Sequence, residues 1–225
     1  MPAIVIPVVV VLFAVIAYFA WLAQKARRKA MAALAAELGW RFDPSKDHDH
    51  DDEYAHFEVF RKGGSRAAYN TLYGAVEIDG RAYDVKMGDF RYTIQHGKSS
   101  STYHGSYLIM RMPFVTPSLL IRGEGLFDRL RGALGFGDID FESAAFSRRF
   151  YVASSDKKFA YDVVHPRMME WLMAKKVPLI DIERGRCCLV DERSRWEPDE
   201  FKRWLRRVDE FFELWPDYLL SRLDG

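Results

Sequence analysis

Thr71-Leu72-Tyr73-Gly74-Ala75-Val76-Glu77-Ile78-Asp79-Gly80-Arg81-Ala82-Tyr83-Asp84-Val85-Lys86 is the stretch that decides the fold. Asp-Gly between two runs rich in β-branched and aromatic residues is a strong short-range hairpin signal, because both turn positions favour positive φ. In the second run Tyr83 and Val85, with Met87 beyond, fall on one face by the two-residue period of a strand. His56 to Arg61, Phe90 to Gln95 and Tyr107 to Arg111 carry similar strand patterns. Gly63-Gly64 marks a further turn, and the serine-rich stretch Lys98 to His104 reads as a mobile loop. No crossover of a dozen residues separates these runs, so the expected arrangement is an antiparallel meander.

Upstream the chain changes character. Met1 to Ala23 carries no charged side chain, and Lys25, Arg27, Arg28 and Lys29 follow at once. A helix over Ile4 to Leu22 would be about 28 Å long, close to the hydrocarbon thickness of a bilayer. A cleaved signal peptide would place basic residues before its apolar core and small residues at its end. Neither feature is present, so a retained anchor is the expectation. Pro7 lies in the first turns, where a missing N–H is tolerated. Tyr18 and Trp21 lie at headgroup level, and the basic flank places Met1 outside and the remainder in the cytoplasm of a plasma membrane. Ala26 to Leu38 continues as helix to a stop at Gly39, with Met31, Leu34, Ala35 and Leu38 on one docking face.

The expected division is therefore residues 1–23 as transmembrane anchor, 24–39 as juxtamembrane helix and 40–225 as a cytoplasmic α+β domain. About 200 residues suffice for a real core. With 33 basic against 32 acidic residues, nothing in the charge points to nucleic acid. Cys187 and Cys188 are neighbours on a strand pattern, which points one inward and one outward and argues against a disulfide.

Further on, Leu119-Leu120-Ile121, Arg149 to Ser154 and Lys158 to Val164 read as strand-like, with Gly125 to Leu134 helical or irregular. Asp156 reads as a turn residue holding backbone amides. Pro166 opens a helix to about Lys175 that is apolar on most sides. Pro178 to Glu183 and Arg186 to Val190 form a hairpin about Arg184-Gly185. A last helix begins near Pro198. Phe201, Trp204, Leu205, Val208, Phe211, Phe212 and Trp215 recur three or four apart and form an apolar stripe expected to be core. The fold class is α+β: one N-terminal transmembrane helix, then a largely antiparallel sheet packed by several helices.

Chemistry is sparse. Gly132, Gly135 and Gly137 lack the context of a phosphate loop, and there is no HExxH, CxxC or Gly-x-Ser-x-Gly arrangement. His48 and His50, among Asp49, Asp51, Asp52 and Glu53, form one weak metal-ligand pattern. Asp138, Asp140 and Glu142, with Glu124 upstream, form another: extended backbone would put the three on one face. Each is more simply a solvated segment. His96, His104 and His165 have no carboxylate or thiol at motif spacing, and no catalytic residue or cofactor is expected.

Within residues 136–190, Phe146, Phe150, Val152, Asp156, Ala160 and Pro166 follow a pattern: an aromatic pair ahead of a strand, an Asp-containing turn, an alanine, then Pro opening a helix. This resembles a family of uncharacterised bacterial membrane-associated proteins. The resemblance implies a membrane segment joined to a cytoplasmic domain and carries no activity or ligand. The expected function is a membrane-tethered, non-enzymatic interaction domain, an accessory subunit of an envelope complex. Its expected partners are the bilayer, through residues 4–22, and another membrane or cytoplasmic protein. The alternative is a membrane-associated, metal-dependent hydrolase built on the carboxylate cluster.

Overall fold

The computed structural model describes residues 2–78, 80–123, 139–175 and 177–224. Helix α1 (Pro2–Leu38) is unbroken, about 55 Å long at 1.5 Å per residue. Its apolar half is long and apolar enough to cross a membrane, and none of that window is buried against the domain. Its last turns are the opposite: Met31, Leu34 and Ala35 are buried in the core, as their spacing predicts.

The domain is one eight-stranded sheet in the order β1-β2-β3-β4-β8-β7-β5-β6, every neighbouring pair antiparallel. The strands are β1 (Arg41–Asp47), β2 (Gly64–Ile78), β3 (Arg81–His96), β4 (Ser99–Arg111), β5 (Leu119–Gly123), β6 (Phe150–Ser154), β7 (Leu179–Glu183) and β8 (Arg186–Asp191). The deciding hairpin is present: Ile78 pairs with Arg81 around a two-residue turn with Gly80 at φ 73°, although Asp79 lies outside the described residues. The β7–β8 hairpin turns through Arg184 and Gly185, both at positive φ.

One face of the sheet carries the larger core. There Leu72, Val85, Met87, Leu108, Met110, Cys187 and Leu189 share a core with the root of α1 and helices α3 (Ala144–Ser147), α4 (Lys157–Val163), α5 (Pro166–Ala174), α6 (Pro198–Glu213) and α7 (Asp217–Asp224). Helix α6 buries Phe201, Trp204, Val208, Phe211 and Phe212, so the stripe is core. Glu197 and Glu200 close a reciprocal capping box at its start. The other face carries Phe90, Tyr92, Tyr107, Ile109, Cys188 and Val190, roofed by Tyr54, Phe57, Val59 and Phe60. Val59 and Phe60 come from a 3₁₀ turn over Glu58–Arg61, and Tyr54 and Phe57 from the segment that joins it to the short helix α2 (His50–Glu53).

Several expectations are corrected. His56 to Arg61 is not a strand: consecutive Val59 and Phe60 are both buried, which suits a tight turn over a sheet and not alternation. Ser99 to His104 is not a loop but the start of β4, paired residue by residue with β3 from His96↔Ser99 to Arg91↔His104. Lys158 to Val164 is helical, because the Asp156 side chain caps α4 by accepting from the Lys158 and Phe159 amides at 2.8 and 3.3 Å. The Asp156 expectation itself holds. Cys187 and Cys188 do point to opposite faces, but both are fully buried because both faces are covered. Helix α5 is buried at Met168 and Leu172, while Met169, Trp171 and Met173 are only partly covered. The stretch Gly125 to Leu134, with Gly132, Gly135 and Gly137, lies outside the described residues.

Candidate functional site

Two features stand out, one where α1 enters the domain and one at the far end of the sheet. At the root of α1, Arg27 is buried and its guanidinium is held by fully buried Asp89 on β3. Nε donates to Oδ2 at 3.1 Å and Nη2 to Oδ1 at 2.8 Å, a two-point grip. Nη2 also donates to the Trp196 carbonyl at 2.6 Å. Asn70 Nδ2 and Ser106 Oγ each donate to Asp89 at 3.0 Å, and Ser106 Oγ accepts from the Trp196 amide. The backbone is shaped for this. Asn70 sits at φ 50° in an irregularity where β2 gains a residue between Tyr69 and Leu72. Opposite it, a Cβ on Gly88 would come within 3.0 Å of the Asn70 carbonyl oxygen, so only glycine fits comfortably there. Buried charge is tolerable here because each carboxylate oxygen has two donors.

From that point α1 runs down the sheet. Beyond its end the Trp40 ring lies flat on Gly74, which pairs with Val85, and Arg41 pairs with Tyr73. The direction from Asp89 towards Val85 is therefore away from the membrane. At that distal end lies a cleft of about 430 Å³ lined by Asp47, Glu53, Tyr54, Tyr73, Asp84, Lys86, Ile109, Arg111 and Arg186. Lys86 donates to Glu53 at 2.8 Å and Asp47 at 3.3 Å and lies over the Tyr54 and Tyr73 rings. Arg111 and Arg186 face each other directly across β4 and β8. Neither has a carboxylate partner among the described residues, and Arg186 lies 5.7 Å from the Tyr54 ring. Like charges directly opposite oppose sheet stability. Arg186 is felt nearby: burial first, then Arg184 and Arg186, lower the pKa of His56 to about 4. The cleft thus balances three cations against three carboxylates, but Asp47 and Glu53 share Lys86, which leaves Arg111 and Arg186 beside two tyrosine rings as donors that a carboxylate could meet.

The sequence-level metal candidates are not gathered. His48 is exposed, its Nδ1 3.2 Å from the Arg66 carbonyl. His50 is fully buried, with ring centres of Phe60 and Tyr107 at 4.6 Å and Tyr54 at 4.8 Å. Its nearest carboxylate oxygen is Asp47 Oδ2 at 4.0 Å, and neither ring nitrogen has a hydrogen-bond partner. Burial first, then Lys86, holds its pKa well below the ordinary value, so it is neutral. Asp140 is exposed, and Glu142 is exposed at the rim of an apolar groove with Phe141, Tyr161 and Met169. Ile139 to Glu142 forms no strand, although Ile139 and Phe141 do point inward. Asp138 and Glu124 lie outside the described residues. Among the described residues no group of three or more histidine, cysteine, aspartate or glutamate side chains is placed to hold a metal ion. The hydrolase alternative thus has no support.

Reading the sequence missed Asp89, Asn70, Arg111 and Arg186, and took Arg27 for one more flanking cation. A signal was there for Asp89: an acid between Met87 and Phe90 on a strand pattern, next to a glycine, needs a buried partner. For Arg111 and Arg186 there was none, since strand register sets them side by side.

These features define a class: a membrane-anchored α+β domain whose single apolar helix is built into its core. No family profile matches the chain, and no curated protein does. It is similar in structure to the mycobacterial trehalose monomycolate transport factor A, TtfA, seen in a crystal structure. The TM-score is 0.53 at 14% identity, covering 84% of this chain and 96% of that one. At this identity the likeness is one of fold.

Proposed function

We propose that this protein is a non-enzymatic accessory subunit of a membrane complex, held at a set distance from the bilayer to present the distal cleft to an acidic segment of its partner. The observation that carries the reading is that membrane anchor and core element are one helix, locked by Arg27 and Asp89. Such a joint keeps the domain from swinging on a linker and gives a partner a fixed target. The transport role in the name of the structurally similar factor favours an envelope transport complex. Residues 1–23 act as the anchor, 24–39 as the coupling helix and 40–225 as the interaction domain. The exposed cations Lys25, Arg28 and Lys29 favour a cytoplasmic domain with Met1 outside.

Two measurements test this. Reporter fusions at Gly225 should give cytoplasmic fluorescence, and periplasmic phosphatase activity in its place would defeat the topology. A photocrosslinking residue at position 111 in cells should give one discrete heterologous adduct, identified by mass spectrometry. A probe at exposed Tyr218 should not give it. The same adducts from both positions, or none from 111, would defeat the interaction reading.

A further inference from the structure

The three-stranded body β2–β3–β4 continues past Asp89 in the direction opposite to the cleft. Along α1 from Arg27 to Trp40 the contacts on the sheet pass from Asp89 towards Val85. The strand direction from Asp89 to His96 must then lead back towards the bilayer. Seven residues of strand reach about 23 Å at ~3.3 Å each. Along the helix, Leu22 lies only about 7.5 Å before Arg27 at 1.5 Å per residue. Even if strands and helix cross at about 60°, the hairpin reaches about 12 Å along the helix axis, still past Leu22. Its end therefore arrives at the level where the apolar helix begins.

What arrives there suits that level. From Phe90 to Gly105 the chain has no acidic residue and carries Arg91, Lys98, His96 and His104. The tip is a two-residue turn, Gly97-Lys98, with Gly97 at φ 61° and His96 paired to Ser99. Residues 95–102 are all exposed. The stem is stiffened by stacked Tyr92 and Tyr103 at 5.3 Å and by a Thr93–Thr102 hydroxyl contact at 3.0 Å. Exposed Arg195, next to the Trp196 that holds Arg27, and the α1 cations Lys25, Arg28 and Lys29 lie at the same end. The nearby acids are engaged elsewhere. Asp191 caps the Arg193 and Ser194 amides, Glu192 pairs with Lys62, and Glu197 belongs to the α6 capping box.

We infer that the β3–β4 hairpin is a second membrane contact, its tip resting among anionic lipid headgroups beside the entry of α1. Charge complementarity and continuity with the anchor identify the occupant as a lipid surface. A basic side chain near such a surface adds attraction that salt screens within a Debye length. Two points of attachment, helix and hairpin, would set the tilt of the domain as well as its distance from the bilayer.

The test uses the full chain in nanodiscs. Ser100→Cys is labelled with an environment-sensitive fluorophore, and Cys187 and Cys188 stay silent because both are fully buried. Arg184→Cys, at the distal β7–β8 turn, is the tethered control. With headgroup spin-labelled lipids and about 30% phosphatidylglycerol, quenching at position 100 should exceed that at 184 several-fold. It should fall in pure phosphatidylcholine, in high salt and on adding Lys98→Glu, an exposed turn change that leaves the core untouched. Equal quenching at 100 and 184 would overturn the inference. So would strong quenching at 100 that neither lipid charge nor Lys98→Glu alters, since charge would then have no part in it.

Discussion

Arg27 and Arg186 are the same residue at opposite ends of one sheet, and their surroundings are inverted. Arg27 is buried and held through Nε and Nη2, its charge balanced by Asp89 and its position fixed by the Trp196 carbonyl, while Nη1 lies 3.7 Å from Glu197. Arg186 is half exposed and faces Arg111, another cation, with an aromatic ring for company. Burial makes an unmatched charge intolerable, so at the root of the helix each Asp89 oxygen meets two donors. Exposure lets water solvate an unmatched charge, so the distal end can keep two guanidinium groups side by side. The first arrangement yields rigidity and the second yields availability.

The sharpest way to break the contrast is Asp89→Ala. It strands Arg27 in the core and should destabilise the domain by about 3–5 kcal/mol. Urea unfolding of the full chain in mild detergent would measure it, and a loss below about 1 kcal/mol would mean the joint is not a structural lock. Trp204→Ala on α6 should cost a similar ~3–5 kcal/mol by cavity formation, whereas Arg206→Ala, exposed one turn-face away, should stay within about 0.5 kcal/mol. Equal small effects would show that the α6 stripe is not core.

A third test concerns pH. His50 is held neutral by burial, so its folded pKa lies below its unfolded value near 6.5. Below about pH 6.5 the unfolded chain binds a proton that the folded chain refuses. Stability is complete above that pH and falls as pH drops, by up to about 1.4 kcal/mol per pH unit from this group. His50→Phe should flatten the decline between about pH 6.5 and 5. His56, depressed to about 4, adds in the same direction and would remain in the variant. An unchanged pH profile would show that His50 is not the sensitive group. The smallest effect is expected at the cleft. Arg111→Gln should leave stability unchanged or raise it by about 0.2–1 kcal/mol, because it removes a like-charge neighbour. Arg186→Gln, the facing change, should weaken the crosslink formed from position 111 to the partner. Loss of stability there would mean that the guanidinium has a structural duty.

How far the sequence could be read follows from which patterns are local. The Ile78–Arg81 and Glu183–Arg186 turns, the Pro166 and Pro198 helix starts and the Asp156 cap were all legible. Each depends on dihedral preference or on hydrogen bonds to the next few amides. Ser99 to Thr102 was not, because its serines and threonines are exposed on both faces and show no alternation. Only pairing with β3 across a two-residue turn makes them strand. Lys158 to Val164 alternates enough to imitate a strand, and the Asp156 cap two residues earlier wins. Residues Asp138 to Glu142 carried a site expectation that no local rule could test.

By itself the sequence determined the single apolar helix, the antiparallel α+β class and the buried stripe of α6, because hydrophobic period and length are properties of the chain alone. Only the tertiary structure decided that Arg27 would meet Asp89, 62 residues away, that Arg111 would lie beside Arg186, and that His48 and His50 would part company. Those outcomes depend on strand register and on which side chains a second layer covers. Register and coverage are set by the packing of distant segments, which no short window of residues contains.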